Sequence, residues 1–237
     1  MRTFTKKQAL LFATVCALAL PTSAFASETV EETVREINAA VAAQPSAPKA
    51  DPVRPVAPKV GSDLLSQGKV KLGLPATGQG RTVGGTTVFD AANSSGVQVA
   101  VQRAAGGTRA LINIDSQDAP ERFAFPVSGR AASLRQEHDG SVSILAADGG
   151  LLSAIAPAWA RDAAGRSVPT HYEIDGTDLT QVVNHKVGAF AYGVTADPWW
   201  VPVTIVIAKC YQNRTCRRIM WSKGTRTAVS WALRHLF

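Results

Sequence analysis

The stretch VQVAVQ, from Val97 to Gln102, alternates apolar and polar side chains with a period of two. Because successive side chains of a strand point to opposite faces, this period indicates a strand with one buried face. Further alternating runs and Asp-Gly turn sequences follow at residues 123–127, 139–140, 142–144, 172–174 and 175–176. Asp-Gly suits the positive φ angles of tight hairpin turns. The sequence therefore predicts a mainly β protein with an antiparallel β-sandwich or barrel over residues 81–197.

An amphipathic helix is predicted before this body, over residues 27–44. Its apolar side chains recur at helical spacing at Val30, Val34, Ile37 and Val41. Two interpretations follow from this stripe. The helix either packs the stripe on the body as a surface helix, or it belongs to a pro-segment.

A proline- and glycine-rich segment over residues 45–80 joins the helix to the body. The prolines that define its first part are Pro45, Pro48, Pro52, Pro55 and Pro58. Such spacing predicts an extended linker of polyproline character. We expect this linker to separate the helix from the body.

The first 26 residues have the pattern of a secretory signal peptide. A basic start is followed by an apolar run from Ala9 to Leu20 and by the small-x-small sequence Ala24-Phe25-Ala26. The run is too short for a retained membrane anchor, which needs about 20 apolar residues. The sequence thus predicts a mature chain that begins at Ser27, has no transmembrane span, and is secreted as an extracellular or envelope-associated protein.

Two cysteines, Cys210 and Cys216, remain after the leader. In an exported protein an even pair of cysteines predicts a disulfide. A zinc site would need about four ligands, and the pair has no neighbouring histidine or aspartate. We therefore expect a Cys210–Cys216 disulfide and no metal or cofactor.

Residues 198–237, here called the tail, differ in composition from the rest of the chain. The tail contains seven basic residues, no acidic residue and four of the five tryptophans, and a short helix is predicted over residues 225–237. Basic and tryptophan side chains together are typical of segments that bind anionic membranes. The predicted membrane- or anion-binding residues are Trp199, Trp200, Lys209, Arg214, Arg217, Arg218, Trp221, Arg226, Trp231 and Arg234. The alternative is that Trp199 and Trp200 complete the core while the basic residues face solvent.

Three segments resemble a group of secreted actinobacterial proteins that carry an Ala-Asp-Pro-Trp-Trp sequence after a β-rich domain. The segments are Pro157–Gly165, Val168–Tyr172 and Val194–Trp200, and the similarity extends over residues 94–200. Where the group often has Tyr-Pro, this chain has Tyr192-Gly193. The resemblance implies export and a β-rich body, and it implies no catalytic residue.

Familiar catalytic motifs are absent from the sequence, including Gly-x-Ser-x-Gly, His-Glu-x-x-His and the phosphate-binding loop. His171 and Glu173 are the weak candidates that remain, because a strand places them on one face as a base and its orienting carboxylate. The alternative without a catalytic role is that they are two solvent-facing side chains on a half-buried strand.

Two functional hypotheses follow. In the first, the protein is a secreted, envelope-associated binding module whose cationic tail binds anionic lipid or cell-wall polymer and is membrane-active, with antibacterial action as one form of this function. Nucleic acid is not an expected partner for an exported chain. In the second, the protein is an extracellular enzyme of unrecognised type that uses the pair His171 and Glu173.

Overall fold

The computed structural model describes residues 22–44, 64–67, 69–92, 94–104 and 106–237. The predicted leader up to residue 21 and residues 45–63 of the predicted linker lie outside this description. The helices are α1 (Thr22–Ala43), α2 (Val203–Gln212), α3 (Arg214–Lys223) and α4 (Thr225–His235). The strands are β1 (Leu64–Gln67), β2 (Val70–Gly73), β3 (Ala76–Val83), β4 (Thr86–Ala91), β5 (Val97–Ala104), β6 (Gly107–Ile114), β7 (Arg122–Gly129), β8 (Ser133–Gln136), β9 (Val142–Leu145), β10 (Leu151–Ile155), β11 (Trp159–Arg161), β12 (Thr170–Asp175), β13 (Asp178–Val183), β14 (Val194–Asp197) and β15 (Trp199–Pro202).

The strands form two antiparallel sheets. The larger has ten strands, with the order β3-β4-β5-β6-β15-β10-β9-β8 and with β14 pairing both β6 and β11. The smaller has the order β1-β2-β7-β13-β12. Apolar side chains from both sheets, such as Phe125 and Ile112, form one core between them. Both sheets are open in the described residues, so the predicted mainly β fold is confirmed as a sandwich-like arrangement.

The alternating runs of the sequence lie in β5, β7, β9 and β12, as predicted. The Asp-Gly sequences form the turns between strands, with a φ of 84° at Gly140 and of 58° at Gly176. A residue with a Cβ atom adopts such positive φ angles only at a steric cost. The local turn chemistry therefore fixes the register of the hairpins that the sequence predicts.

The tail does not begin where the sequence suggested. β14 and β15 run along β6 as one path, and at Pro198 their outer neighbour changes from β11 to β10. Trp199 to Pro202 therefore form a central strand of the larger sheet and not part of a cationic appendage. This run shows no period of two because its first three side chains are buried whichever face they point to.

Helix α1 covers one half of the outer face of the larger sheet. Its stripe of Val30, Val34, Ile37 and Val41 packs on Val88, Ala100 and Leu111 of β4, β5 and β6. The helix therefore docks on the body, as the first of the two interpretations predicted.

Polar contacts fix this helix as well as apolar ones. Gln102 Nε2 donates to Asn38 Oδ1 at 3.0 Å, and Arg161 Nε donates to Gln44 Oε1 at 3.1 Å. The Thr33 hydroxyl also contacts the Gln98 side chain. Helix and body thus form one packed unit, in contrast to the separation expected from a linker.

The linker itself is shorter than expected. Residues 64–67, 70–73 and 76–80, which the sequence placed in it, form β1, β2 and the first part of β3. Val70 and Leu72 of β2 do alternate with Lys71, but strands of four residues contain too few repeats for a period to be recognised beside a proline-rich segment.

Helices α2, α3 and α4 cover the other half of the outer face. They pack on Ala104, Ala154, Trp199 and Val201 of the sheet. The sequence predicted α4 but not α2 or α3, because α2 continues directly from the apolar run of β15. Two helical covers therefore lie on one sheet face.

We predict that Ile37→Ala lowers the free energy of unfolding of the whole chain by about 2–5 kcal/mol, the usual cost of truncating a buried Ile. Ile37 lies on the side of α1 that faces the sheet, and its side chain is fully buried. Urea denaturation of the chain from residue 27 onward measures this change, and Glu31→Ala on the exposed side of the same helix is the control. An unchanged midpoint for Ile37→Ala would show that α1 does not belong to the cooperative unit.

Candidate functional site

The ten residues predicted to bind an anionic surface fall into different environments. Trp199 and Trp200 are buried, with exposures of 2% and 0%. The Trp199 Nε1 group donates to Ala104 O at 3.3 Å, and the Trp200 Nε1 group donates to Ser153 Oγ at 2.6 Å. Neither indole reaches a membrane unless β15 leaves the sheet, so these two tryptophans are core residues rather than binding residues.

Lys209 also has a structural role. Its Nζ group donates to Leu236 O at 3.3 Å and lies 4.0 Å from the centroid of the Phe237 ring. Phe237 in turn packs against Trp199 with a centroid distance of 4.9 Å. A cation near the last carbonyls of a helix is favourable, so Lys209 stabilises the end of α4 against α2 and the core.

The predicted disulfide is present and joins α2 to α3. Cys210 and Cys216 are both buried against the core that the C-terminal helices form with the sheet. Asn213, between them, ends α2 and starts α3, because its side-chain oxygen accepts hydrogen bonds from the N–H groups of Thr215 and Cys216 at 3.0 Å. Capping and cross-linking together fix the orientation of α3.

The solvent side of α3 is cationic. Arg214, Arg217, Arg218 and Trp221 have the spacing i, i+3, i+4 and i+7, which places them on one face of a helix. All four are exposed, and Trp221 is 77% exposed. Cys216 and Ile219 lie on the other side, toward the protein. We call these four residues the cationic face; Arg226, on α4, is exposed as well.

Ser230 and Arg234 connect α4 to the turn between β8 and β9. Arg234 Nε lies 3.2 Å from Asp139 Oδ2, and the Ser230 hydroxyl donates to the same oxygen. The Trp231 ring stacks on His235, with a centroid distance of 4.4 Å and an interplanar angle of 7°. Sequence reasoning assigned His138-Asp139-Gly140 to a turn alone and missed this contact. The spacing of Ser230 and Arg234, one helical turn apart, was the available signal.

The candidate catalytic pair lies on β12, at the edge of the smaller sheet. His171 Nε2 is 3.5 Å from Glu173 Oε1, and their side chains are 51% and 44% exposed, so they share one face as predicted. Arg122 holds the Glu173 carboxylate with both terminal nitrogens. The hydrogen bonds from Arg122 lower the pKa of Glu173 below its ordinary value. Arginine thus stabilises the charged form of this carboxylate on an exposed edge strand. This arrangement matches the interpretation of the pair as two solvent-facing side chains.

A buried ion pair lies on the outer face of the larger sheet. Arg109 Nε is 2.8 Å from Asp197 Oδ2, both side chains are fully buried, and Trp159 Nε1 donates to the same oxygen at 3.0 Å. Burial raises the pKa of Asp197 to about 6, although Arg109 and Trp159 oppose the shift. Removing one member of such a pair costs about 3–5 kcal/mol because the other charge stays buried. We therefore assign this pair to the fold and not to a reaction.

An acidic cleft of about 370 Å³ lies beside α1. Asn113 Nδ2 bridges two of its three carboxylates, donating to Glu36 Oε2 at 3.1 Å and to Asp115 Oδ1 at 2.7 Å. Burial, together with the charges of Glu36 and Glu32, raises the pKa of Asp115 to about 6. We therefore expect the docking of α1 to depend on pH. Within the described ranges, no group of histidine, cysteine and carboxylate side chains is placed to hold a metal ion.

Comparisons with known proteins give no relative. No protein-family model, curated protein or solved structure matches this chain. The resemblance to secreted actinobacterial proteins thus stays a prediction. In the part of the chain that the structure describes, no helix is long and apolar enough to cross a bilayer.

The raised pKa of Asp115 predicts how stability depends on pH. A carboxyl group with a raised pKa binds its proton more tightly in the folded state, so its stabilising effect is complete below the ordinary value of 3.8 and is lost as the pH rises through about 6. We expect the melting temperature to fall between about pH 4 and about pH 7. Differential scanning calorimetry measures the fall.

Asp115→Asn should reduce this fall, because the amide does not ionise and so never adds a negative charge beside Glu36 and Glu32. Asp178→Asn, on an exposed position of β13, is the control and should leave it unchanged. A fall that is equally steep in wild type and Asp115→Asn would contradict the assignment to the acidic cleft.

Proposed function

We propose that the protein is an exported, envelope-associated binding module that adsorbs to anionic lipid through the cationic face of α3. The proposal depends on one observation above all. Arg214, Arg217, Arg218 and Trp221 lie together on the exposed side of a helix whose other side is anchored to the body. Export is supported by the leader pattern over residues 1–26.

The charge of the tail supports attraction to such a surface. Residues 198–237 contain no acidic residue, so no carboxylate of the tail itself neutralises the three arginines. A basic residue near an anionic leaflet contributes about 1 kcal/mol of binding free energy. Arg217 Nη1 also donates to Tyr211 O at 2.7 Å, which holds its guanidinium close to the helix. The Arg217 guanidinium is thus ordered before it binds, and its binding needs little further loss of side-chain entropy.

The exposed Trp221 favours lipid over a soluble polyanion. An indole that is 77% exposed leaves a large apolar area in water, and such rings are stable at the boundary between headgroups and acyl chains. A wall polymer of phosphate groups would use the arginines but would not bury this ring. The arrangement therefore suits a lipid surface better.

The depth of binding is limited by the fold. Trp199 and Trp200 are held in the sheet, and Trp231 of α4 is partly buried against the core that the C-terminal helices form with the sheet. Only one indole of the cationic face is available for insertion, so we expect peripheral adsorption that leaves the bilayer intact. Antibacterial lysis would require a larger apolar area than this face presents.

Vesicle binding tests the proposal. Replacing Arg214, Arg217 and Arg218 by Gln should weaken the binding of the mature chain to phosphatidylglycerol vesicles by about 100-fold, as expected from about 1 kcal/mol per charge. Trp221→Ala should weaken it further and remove the blue shift of tryptophan emission. Raised salt should weaken the wild type by screening. Co-sedimentation and fluorescence titration measure these changes.

A matched variant controls for net charge. Lys71, Arg130 and Arg135 are exposed on the body, and replacing them by Gln removes the same charge far from α3 in sequence. Equal weakening by both triple variants would mean that only net charge matters. Wild-type binding to cell-wall teichoic acid but not to phosphatidylglycerol would replace lipid by polymer as the partner.

A further inference from the structure

A cleft of about 380 Å³ is lined by residues of α3, of α4 and of the turn between β8 and β9. We call it the turn cleft. Ile219 and Trp231 give it apolar walls, and Glu137, Lys223 and Thr227 line it with polar groups. On α3, Lys223 points about half a turn away from Arg214 and Trp221, since successive residues of a helix are rotated by about 100°. The turn cleft is therefore separate from the cationic face.

The cleft is held open by a network at its base. Asp139 Oδ1 accepts hydrogen bonds from the N–H and the hydroxyl of Ser141 at 3.1 and 2.6 Å, while Oδ2 contacts Ser230 and Arg234 on α4. Burial alone would raise the pKa of Asp139, but these hydrogen bonds and the charge of Arg234 lower it below its ordinary value. The turn and the helix are thus joined through an ionised carboxylate. Groups used in this network are not available to a ligand, and they keep the walls in place.

The aromatic wall is fixed as well. Trp231 stacks on His235, and the His235 Nδ1 atom lies 2.8 Å from Trp231 O, so the imidazole supports the indole from one side. The ring is partly exposed and lines the cleft. A fixed indole offers a flat apolar surface at low entropic cost.

The polar groups of the cleft are balanced in charge and mixed in hydrogen-bonding type. The carboxylates of Glu137 and Asp139 are matched by the cations of Lys223 and Arg234. Glu137 and Thr227 supply acceptor oxygens, and Lys223 supplies donors. A charged ligand would be repelled by half of these groups. An uncharged ligand with several hydroxyl groups and one apolar face uses the three groups outside the network, Glu137, Lys223 and Thr227, without repulsion.

We propose that the turn cleft binds a saccharide unit, with one sugar ring stacked on Trp231 and its hydroxyl groups bonded to Glu137, Lys223 and Thr227. The cleft is near the small end of ligand pockets, which run from about 300 Å³ upward. It therefore suits one or two sugar rings of a larger glycan. An acetamido sugar is the probe of choice, because its methyl group is the apolar partner that Ile219 offers a place to. This inference does not depend on binding of the cationic face to lipid.

The test uses the mature chain with two probes that present the same sugar. One is the free N-acetylglucosamine trisaccharide, and the other is a phosphatidylcholine vesicle that carries an N-acetylglucosamine glycolipid. Titration calorimetry and tryptophan emission should show saturable binding of at least one probe with a Kd of about 1 mM or tighter. The responding probe distinguishes free glycan from lipid headgroup as the source of the sugar.

The paired variant Glu137→Ala with Lys223→Ala should weaken this binding by about tenfold. It leaves the net charge unchanged, so binding to phosphatidylglycerol should not change. Its control is Glu31→Ala with Lys69→Ala, which removes the same groups at exposed positions elsewhere. Trp231→Phe keeps a ring in place and should weaken binding less than Trp231→Ala.

Three outcomes would overturn the inference. They are the absence of saturable binding with both probes, equal weakening by the control pair, and equal weakening by the Gln variant of Arg214, Arg217 and Arg218. The last outcome would move the sugar to the cationic face. If the wild type binds the sugar probe but does not bind phosphatidylglycerol vesicles, the proposed function is refuted and this inference stands.

Discussion

β6 is buried on both of its faces, and the rest of the architecture follows from this constraint. Ala110, Ile112 and Ile114 enter the core between the sheets, whereas Leu111 enters the interface with α1. Arg109, on the same outer face as Leu111, forms its ion pair with Asp197. An exposed outer face would place apolar side chains in water and remove the cover from a buried charge pair. The sheet is therefore stable only when helices cover both halves of that face.

The helices near the two ends of the described chain meet this requirement by covering the outer face of the sheet. α1 covers one half through its apolar stripe and its polar contacts, and the C-terminal helices cover the other half around Trp199. The basic residues of the tail therefore have two different roles. Lys209 and Arg234 hold helices together, while the arginines of α3 face outward on a helix fixed by Asn213 and the disulfide. A surface that is ordered before binding is the expected product of such a fold.

The sequence predicted those elements whose pattern is local. Alternation in Val97 to Gln102 and the Asp-Gly turns predicted strands, helical spacing predicted α1, and the even cysteine count predicted the disulfide. It did not predict β15, because a strand buried on both faces has no period. Nor did it show that Gln98 and Gln102 meet a helix, since a polar residue that faces solvent and one that bonds to a packed helix alternate alike. The cationic face was missed as a face because the sequence analysis predicted no helix between the two cysteines and residue 225; Asn213 before and Gly224 after α3 were the overlooked capping signals.

The central claim is that β15 belongs to the sheet while only the outer side of the C-terminal helices binds a surface. Hydrogen–deuterium exchange of the chain from residue 27 onward, with and without phosphatidylglycerol vesicles, tests it most directly. The account predicts that the amides of Trp199 to Val201 exchange as slowly as those of β6 in both conditions. It also predicts that vesicles slow exchange only in α3 and the start of α4. Fast exchange of β15 in the free protein, or its deprotection on vesicles, would show that the tail leaves the body and would contradict the account.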